Sequence, residues 1–211
     1  MTSVDPPTPP PASAPSGSPT PPGGGGQTSA APLLVVMGVT GSGKTTVGVA
    51  LGRRLRVPFA DADDFHSPAG IAKMSKGVAL TDADRLPWLR AIGGWLAAHD
   101  AGGGVVSCSA LKRSYRDVLR AAAPRVGFVH LDGDQEEVRR RVAGRRGHFM
   151  PASLVDSQFA ALEPLGPGER GIVLDLRRGV EELVEDCLAA VSPARGGPGP
   201  SLPPPGDRRA R

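Results

Sequence analysis

The stretch "LLVVMGVTGSGKTT", residues 33–46, decides the architecture. Five apolar residues, Leu33–Met37, run without polar alternation, the pattern of a strand buried on both faces. Gly38, Val39, Thr40, Gly41, Ser42, Gly43, Lys44 and Thr45 then satisfy G-x-x-x-x-G-K-[ST] in full, and a helical pattern follows. Each feature has a physical purpose. The glycines let the backbone curl so that successive N–H groups face phosphate oxygens, and the helix behind them offers its positive end. Lys44 can reach the β- and γ-phosphates, and the Thr45 hydroxyl can take one Mg²⁺ position. These residues, with Thr46, are the candidate binding set for ATP. The motif implies a nucleoside triphosphate and leaves open what receives the phosphate.

Outward from this loop, short apolar runs alternate with amphipathic patterns. Val57–Ala60, Gly104–Cys108, Val126–Leu131 and Gly171–Leu176 read as four more buried strands. Trp88, Leu89, Ile92, Trp95 and Leu96 form one helical stripe; Tyr115, Val118, Leu119 and Ala122 form a second; Val180, Leu183, Val184, Cys187, Leu188 and Val191 form a third. Ser67 before Pro68 has the look of an N-cap followed by proline at the first helical position. Asp134 with Glu137 resembles a capping box. Strand–helix alternation of this kind predicts an α/β fold: a mainly parallel five-stranded sheet with helices on both faces.

Of the 211 residues, 23 are Pro and 29 Gly, too many for one compact domain, and they crowd the ends. Residues 1–31 are Pro, Gly, Ser, Thr and Ala with Asp5 as the lone charge, so disorder is expected there. Residues 193–211 read as a second disordered, basic tail, leaving one domain over 32–192. The formal charge is +4, half of it from the tails, which makes it weak evidence for nucleic-acid binding. Aromatics that could stack on bases make up 4% of the chain. Cys108 and Cys187 form neither a disulfide framework nor a zinc spacing. No signal-peptide pattern is present and the apolar run at 33–39 is too short to span a bilayer, so no membrane association and a cytoplasmic setting are expected.

In open α/β sheets, ligands lie beyond the carboxyl ends of the strands. "ADADDFH", residues 60–66, sits there, packing Asp61, Asp63, Asp64 and His66 together after the second strand. One carboxylate could hold the water shell of Mg²⁺ and another accept a proton from an attacking hydroxyl; solvation of an acidic loop is the alternative. Arg85, Lys112, Arg116, Arg141 and Arg145 follow at other loops and helix starts, where cations could offset charge on a transferring phosphoryl group.

The segments "GVTGSGKTT", "DADDFHSPAGIAKMSKGVALTDADRLPWL", "CSALKRSYRDVLR" and "GHFMPASLVDSQFAALEP", with the spacing between them, resemble the gluconokinase family. These are small P-loop kinases similar in build to shikimate kinase and nucleoside monophosphate kinases. The likeness covers Leu33 to Val191, and the second segment is its specific part. It implies a three-layer P-loop kinase fold with a small lid, and ATP-dependent phosphorylation of D-gluconate at the 6-hydroxyl. By the same resemblance, Asp61 and Thr45 support the metal. Lys44, Asp63, Arg141 and Arg145 are catalytic, the two arginines acting from the lid. Asp63, His66, Arg85, Lys112 and Arg116 meet the sugar acid. A homodimer is a further implication. The third strand lacks the terminal aspartate many P-loop enzymes carry; Cys108 and Ser109 stand there. A kinase of another small hydroxy acid such as shikimate, or a P-loop nucleotide-binding switch, is the alternative. An N-K-x-D element for guanine selection is absent.

Overall fold

The computed structural model describes residues 30–76, 78–144 and 152–191. The two tail expectations therefore fall almost wholly outside the described residues, and so do Arg145 and the segment 145–151, part of the expected lid.

Among the described residues, five strands form one parallel sheet: β1 (Leu33–Met37), β2 (Phe59–Asp61), β3 (Gly104–Ser107), β4 (Gly127–Asp132) and β5 (Gly171–Asp175). Their spatial order is β2-β3-β1-β4-β5, so β1 is central. Among the described residues, seven helices connect or follow them: α1 (Lys44–Leu55), α2 (Pro68–Ser75), α3 (Asp82–Ala98), α4 (Arg113–Ala122), α5 (Gln135–Ala143), α6 (Ala152–Ala161) and α7 (Val180–Val191). A 3-10 turn, Ala62–Phe65, follows β2.

The side-chain period of two along β1 divides the core. Leu34 and Val36 pack with Val47 and Leu51 of α1, Val138 and Val142 of α5, and Leu183, Val184 and Cys187 of α7. Leu33, Val35 and Met37 point the other way, into Trp88, Leu89, Ile92 and Leu96 of α3 and Tyr115 and Leu119 of α4. All five β1 residues are buried, which is why the strand needs no polar positions. Three layers result, as expected.

Local signals act where the spacing placed them. The Ser67 hydroxyl accepts from the Gly70 N–H and Asp134 from the Glu137 N–H, starting α2 and α5. A reciprocal capping box at Thr81 and Asp84 starts α3 and was not anticipated. The second strand begins two residues later than the apolar run suggests, because the Val57 N–H bonds the Gly52 carbonyl at the end of α1. Asp61 is therefore the last strand residue, and its carboxylate accepts from the Asp63 N–H at 3.1 Å to cap the 3-10 turn. Helix α6 is not among the three helical stripes read from the sequence. Among the described residues, no helix is long and apolar enough to cross a membrane.

Candidate active site

The sheet delivers its loops to one edge. β1 runs into the glycine loop, where Gly38 has φ +141° and a Cβ would stand 2.7 Å from the Leu131 carbonyl oxygen of β4. Gly41 has φ +78°, and a Cβ there would meet Val142 Cγ2 at 2.6 Å. The loop is thus moulded against β4 and α5, and side chains at these two glycines would force it open. Gly43 precedes α1 in a left-handed conformation, without a side-chain cap on the helix. No acid stands in the first turn of α1, which leaves the positive end of the helix for an anion. The Lys44 Nζ donates to the Val39 carbonyl at 2.9 Å, folded back over the loop it serves.

The acidic loop shares this edge. Thr45 Oγ1 donates to Asp61 Oδ2 at 2.9 Å, tying the start of α1 to the end of β2. Asp63 and Asp64 are exposed on the turn beyond. The Trp88 indole N–H donates to the Ala62 carbonyl at 2.6 Å, fastening this turn to α3. His66 stacks on Trp88, ring centroids 4.8 Å apart and planes 1° from parallel. Burial lowers its pKa, against the pull of Asp63 and with help from Arg85, so the ring favours its neutral form at neutral pH.

A second cluster stands at the start of α3 and α4. Lys112 Nζ reaches both oxygens of Asp82 at 2.7 and 2.9 Å, and the Tyr115 hydroxyl donates to Asp82 at 2.5 Å. Arg85 lies 3.8 Å from the same carboxylate and donates to the Leu80 carbonyl. Hydrogen bonds from Lys112 and Tyr115 hold the Asp82 carboxyl below its ordinary range. Lys112 and Arg85, expected from sequence, thus gather on Asp82, which was not. The signal that could have found it is Thr81-x-x-Asp84, a capping pattern that sets Asp82 in the first helical turn.

Arg116 is a correction. It was expected to meet the substrate, yet its side chain is fully buried and its donors are committed inside the protein. Nε and one terminal nitrogen grip Glu169 at 2.6 and 2.9 Å, while the carbonyls of Ala110, Leu111, Glu163 and Pro164 take the remaining N–H groups. Arg116 therefore knits the loop before α4 to the segment between α6 and β5. Burial alone would raise the Glu169 carboxyl; the bonds from Arg116 and the Gly166 N–H outweigh it and hold the pKa below the ordinary value. The stabilisation is then present above the unfolded glutamate pKa and is lost as pH falls through the lower, folded one. Arg116→Ala, leaving Glu169 buried without its partner, is expected to cost about 3 kcal/mol at neutral pH. The deficit, measured by urea unfolding, should narrow in acid as Glu169 protonates; an unchanged midpoint at pH 7 would contradict the assignment.

Arg141 lies on α5, one residue before the Val142 that touches the glycine loop, and its Nε donates to Glu137 at 2.8 Å. Gln158 of α6 was not singled out from sequence, yet its Oε1 accepts the Thr40 N–H of the loop at 2.7 Å. Cys108, where an acid might have closed β3, is buried, and burial pushes its thiol up to about 12, so it stays protonated. Among the described residues there is no cluster of three or more metal-ligating side chains.

Comparison with known proteins places this site in context. The family model described as shikimate kinase matches residues 40–161. A gluconokinase of Gluconobacter oxydans is 47% identical over 160 residues, covering 74% of this chain and 88% of the relative. The crystal structure of a sugar kinase from Janibacter sp. superposes with a TM-score of 0.70 at 53% identity, covering 75% of this chain and 92% of that one. A gluconokinase structure from Sinorhizobium meliloti gives the same TM-score at 46% identity, with 75% and 90% covered.

Proposed function

We propose, from the premise that this chain belongs to the gluconokinase family within the shikimate kinase domain class, that it transfers the terminal phosphoryl group of ATP to the 6-hydroxyl of D-gluconate, giving 6-phospho-D-gluconate and ADP. The observation that carries this reading is the Thr45–Asp61 hydrogen bond, which joins the phosphate-binding loop to the acidic loop at one sheet edge. A phosphoryl donor and a hydroxyl acceptor need such adjacency, because most of the rate enhancement comes from positioning and charge stabilisation.

In this scheme the loop from Gly38 to Thr46 cradles the triphosphate, and Lys44, aimed by its bond to the Val39 carbonyl, reaches the phosphates with its ammonium group. Asp63 orients the 6-hydroxyl and takes its proton as the bond to phosphorus forms. His66, Arg85 and Lys112 read the hydroxyls and carboxylate of the sugar acid, with Asp82 and Tyr115 holding Lys112 in place. Arg141 and Arg145 stabilise charge on the transferring group. Thr45 Oγ1 and Asp61 Oδ2 are hard oxygens 2.9 Å apart, a donor set that suits Mg²⁺, which takes few protein ligands and completes its shell with phosphates and water. When bound there, the ion would neutralise charge on the phosphate oxygens. A cytoplasmic setting and a homodimer belong to the same proposal.

The testing experiment is a coupled ADP-release assay across gluconate, shikimate and related hydroxy acids. Gluconate should exceed shikimate by at least about 10³-fold in kcat/KM, since hydrogen-bonding sites discriminate strongly between polar patterns. Equal rates on both acids, or ATP hydrolysis indifferent to any acceptor, would refute it.

A further inference from the structure

We infer that Gln158 is a positioning residue for phosphoryl transfer, acting on Lys44 through the Val39–Thr40 peptide. Both edges of this one peptide unit are held by side chains. Its N–H, from Thr40, donates to Gln158 Oε1 at 2.7 Å, and its C=O, from Val39, accepts from Lys44 Nζ at 2.9 Å. The peptide is trans, so these two groups point in opposite directions across a rigid plane. Gln158 thus stands on the side of the peptide away from Lys44. The amide's orientation is dictated by chemistry, since an N–H requires the oxygen end.

The consequence is mechanical. Within the loop itself this peptide has a turn bond, from the Ser42 N–H to the Val39 carbonyl at 3.3 Å, longer than the usual range. If it turned, the Val39 carbonyl would swing away and Lys44 would lose the oxygen that aims its ammonium group. Gln158 opposes that rotation from 118 residues away in sequence. Its own anchorage is firm: α6 is fastened to α5 by Asp156, which accepts from Arg139 at 2.6 Å and from Gln135 at 2.7 Å. The neighbouring Val155 is fully buried in the core. Two helices therefore brace the loop at adjacent residues, α6 through Gln158 at Thr40 and α5 through Val142 at Gly41.

The inference rests on the proposed function only through Lys44 as a phosphate ligand, not on the identity of the acceptor. Two variants test it. Gln158→Met keeps the length and bulk of the side chain and removes the acceptor. Gln158→Glu keeps an acceptor oxygen. Calorimetric titration with Mg²⁺ and a non-hydrolysable ATP analogue reads nucleotide affinity, and steady-state assays read kcat and both KM values. Gln158→Met should weaken analogue binding and lower kcat/KM for ATP by about tenfold each, the scale of one lost, part-buried hydrogen bond. Its KM for gluconate should stay within about twofold, and Gln158→Glu should recover most of the nucleotide affinity. A Met variant that binds the analogue like wild type, or a Glu variant no better than Met, would overturn the inference, since packing rather than the hydrogen bond would then matter. Wild-type protein that binds no nucleotide would sink this inference and the proposed function together. Nucleotide binding without gluconate-dependent turnover would sink the acceptor assignment alone, while the Met and Glu affinities still decide the role of Gln158.

Discussion

Lys44→Ala should yield a folded protein whose gluconate-dependent ADP release is reduced by at least about 10³-fold, equivalent to roughly 4 kcal/mol of transition-state stabilisation. Lys44 sits at the first position of α1, partly exposed, and the buried core of that helix is formed by Val47, Gly48, Leu51 and Gly52 instead. Removing the amine therefore deletes no core contact, and the thermal midpoint should shift by no more than a few degrees. What is lost is the cation that follows the phosphoryl group as its charge is redistributed over the equatorial oxygens. Backbone N–H groups remain, so nucleotide binding should weaken less than turnover falls. A variant retaining a tenth of wild-type activity would remove the loop from the chemistry.

Asp63→Asn is expected to lower kcat by roughly 10³-fold, within the range of a lost general base, while the affinity for ATP changes less than threefold. The fold should tolerate it. The Asp63 backbone N–H, not its side chain, makes the bond to Asp61 that shapes the turn, and the side chain is exposed at the acidic loop. Asparagine keeps the size and one acceptor oxygen but can no longer take a proton. Pre-steady-state measurements would show the chemical step slowed with nucleotide binding intact. Near-normal turnover would dismiss Asp63 from the mechanism and leave Asp64 or solvent as the proton's destination.

The contrast between these residues and Arg116 shows what a linear pattern can carry. Lys44 and Thr45 are legible because a phosphate cradle is a local object: glycines, a lysine and a hydroxyl at fixed spacing between a strand and a helix. Arg116 lay in an equally suggestive stretch, four residues after Lys112, yet the two turn opposite ways. Lys112 precedes α4 and meets Asp82 at the surface, whereas Arg116, on the first turn of that helix, points inward to Glu169. Nothing near position 116 announces a carboxylate 53 residues further on. Asp82 escaped notice for the same reason, since its meaning lies in Lys112 and Tyr115, which reach it across 30 and 33 residues. Gln158 belongs to a segment quoted for its likeness to a family, but its contact with Thr40 exists only because α6 packs beside α5 over the loop.

By itself, then, the chain determined whatever depends on neighbours in sequence: the five apolar strand runs, although β2 and β5 at the sheet edges are only partly buried, the amphipathic stripes, the caps at Ser67 and Asp134, the phosphate loop, and the acidic stretch after the second strand. Those features arise from periodicity, backbone geometry and capping, which operate over a few residues. Tertiary structure alone decided the strand order, the placing of Asp61 against Thr45, the burial of Arg116 and the bracing of the loop by Gln158. Each of these is a pairing of distant groups, settled by how the apolar faces close over one another and by the need to partner every charge that closure buries.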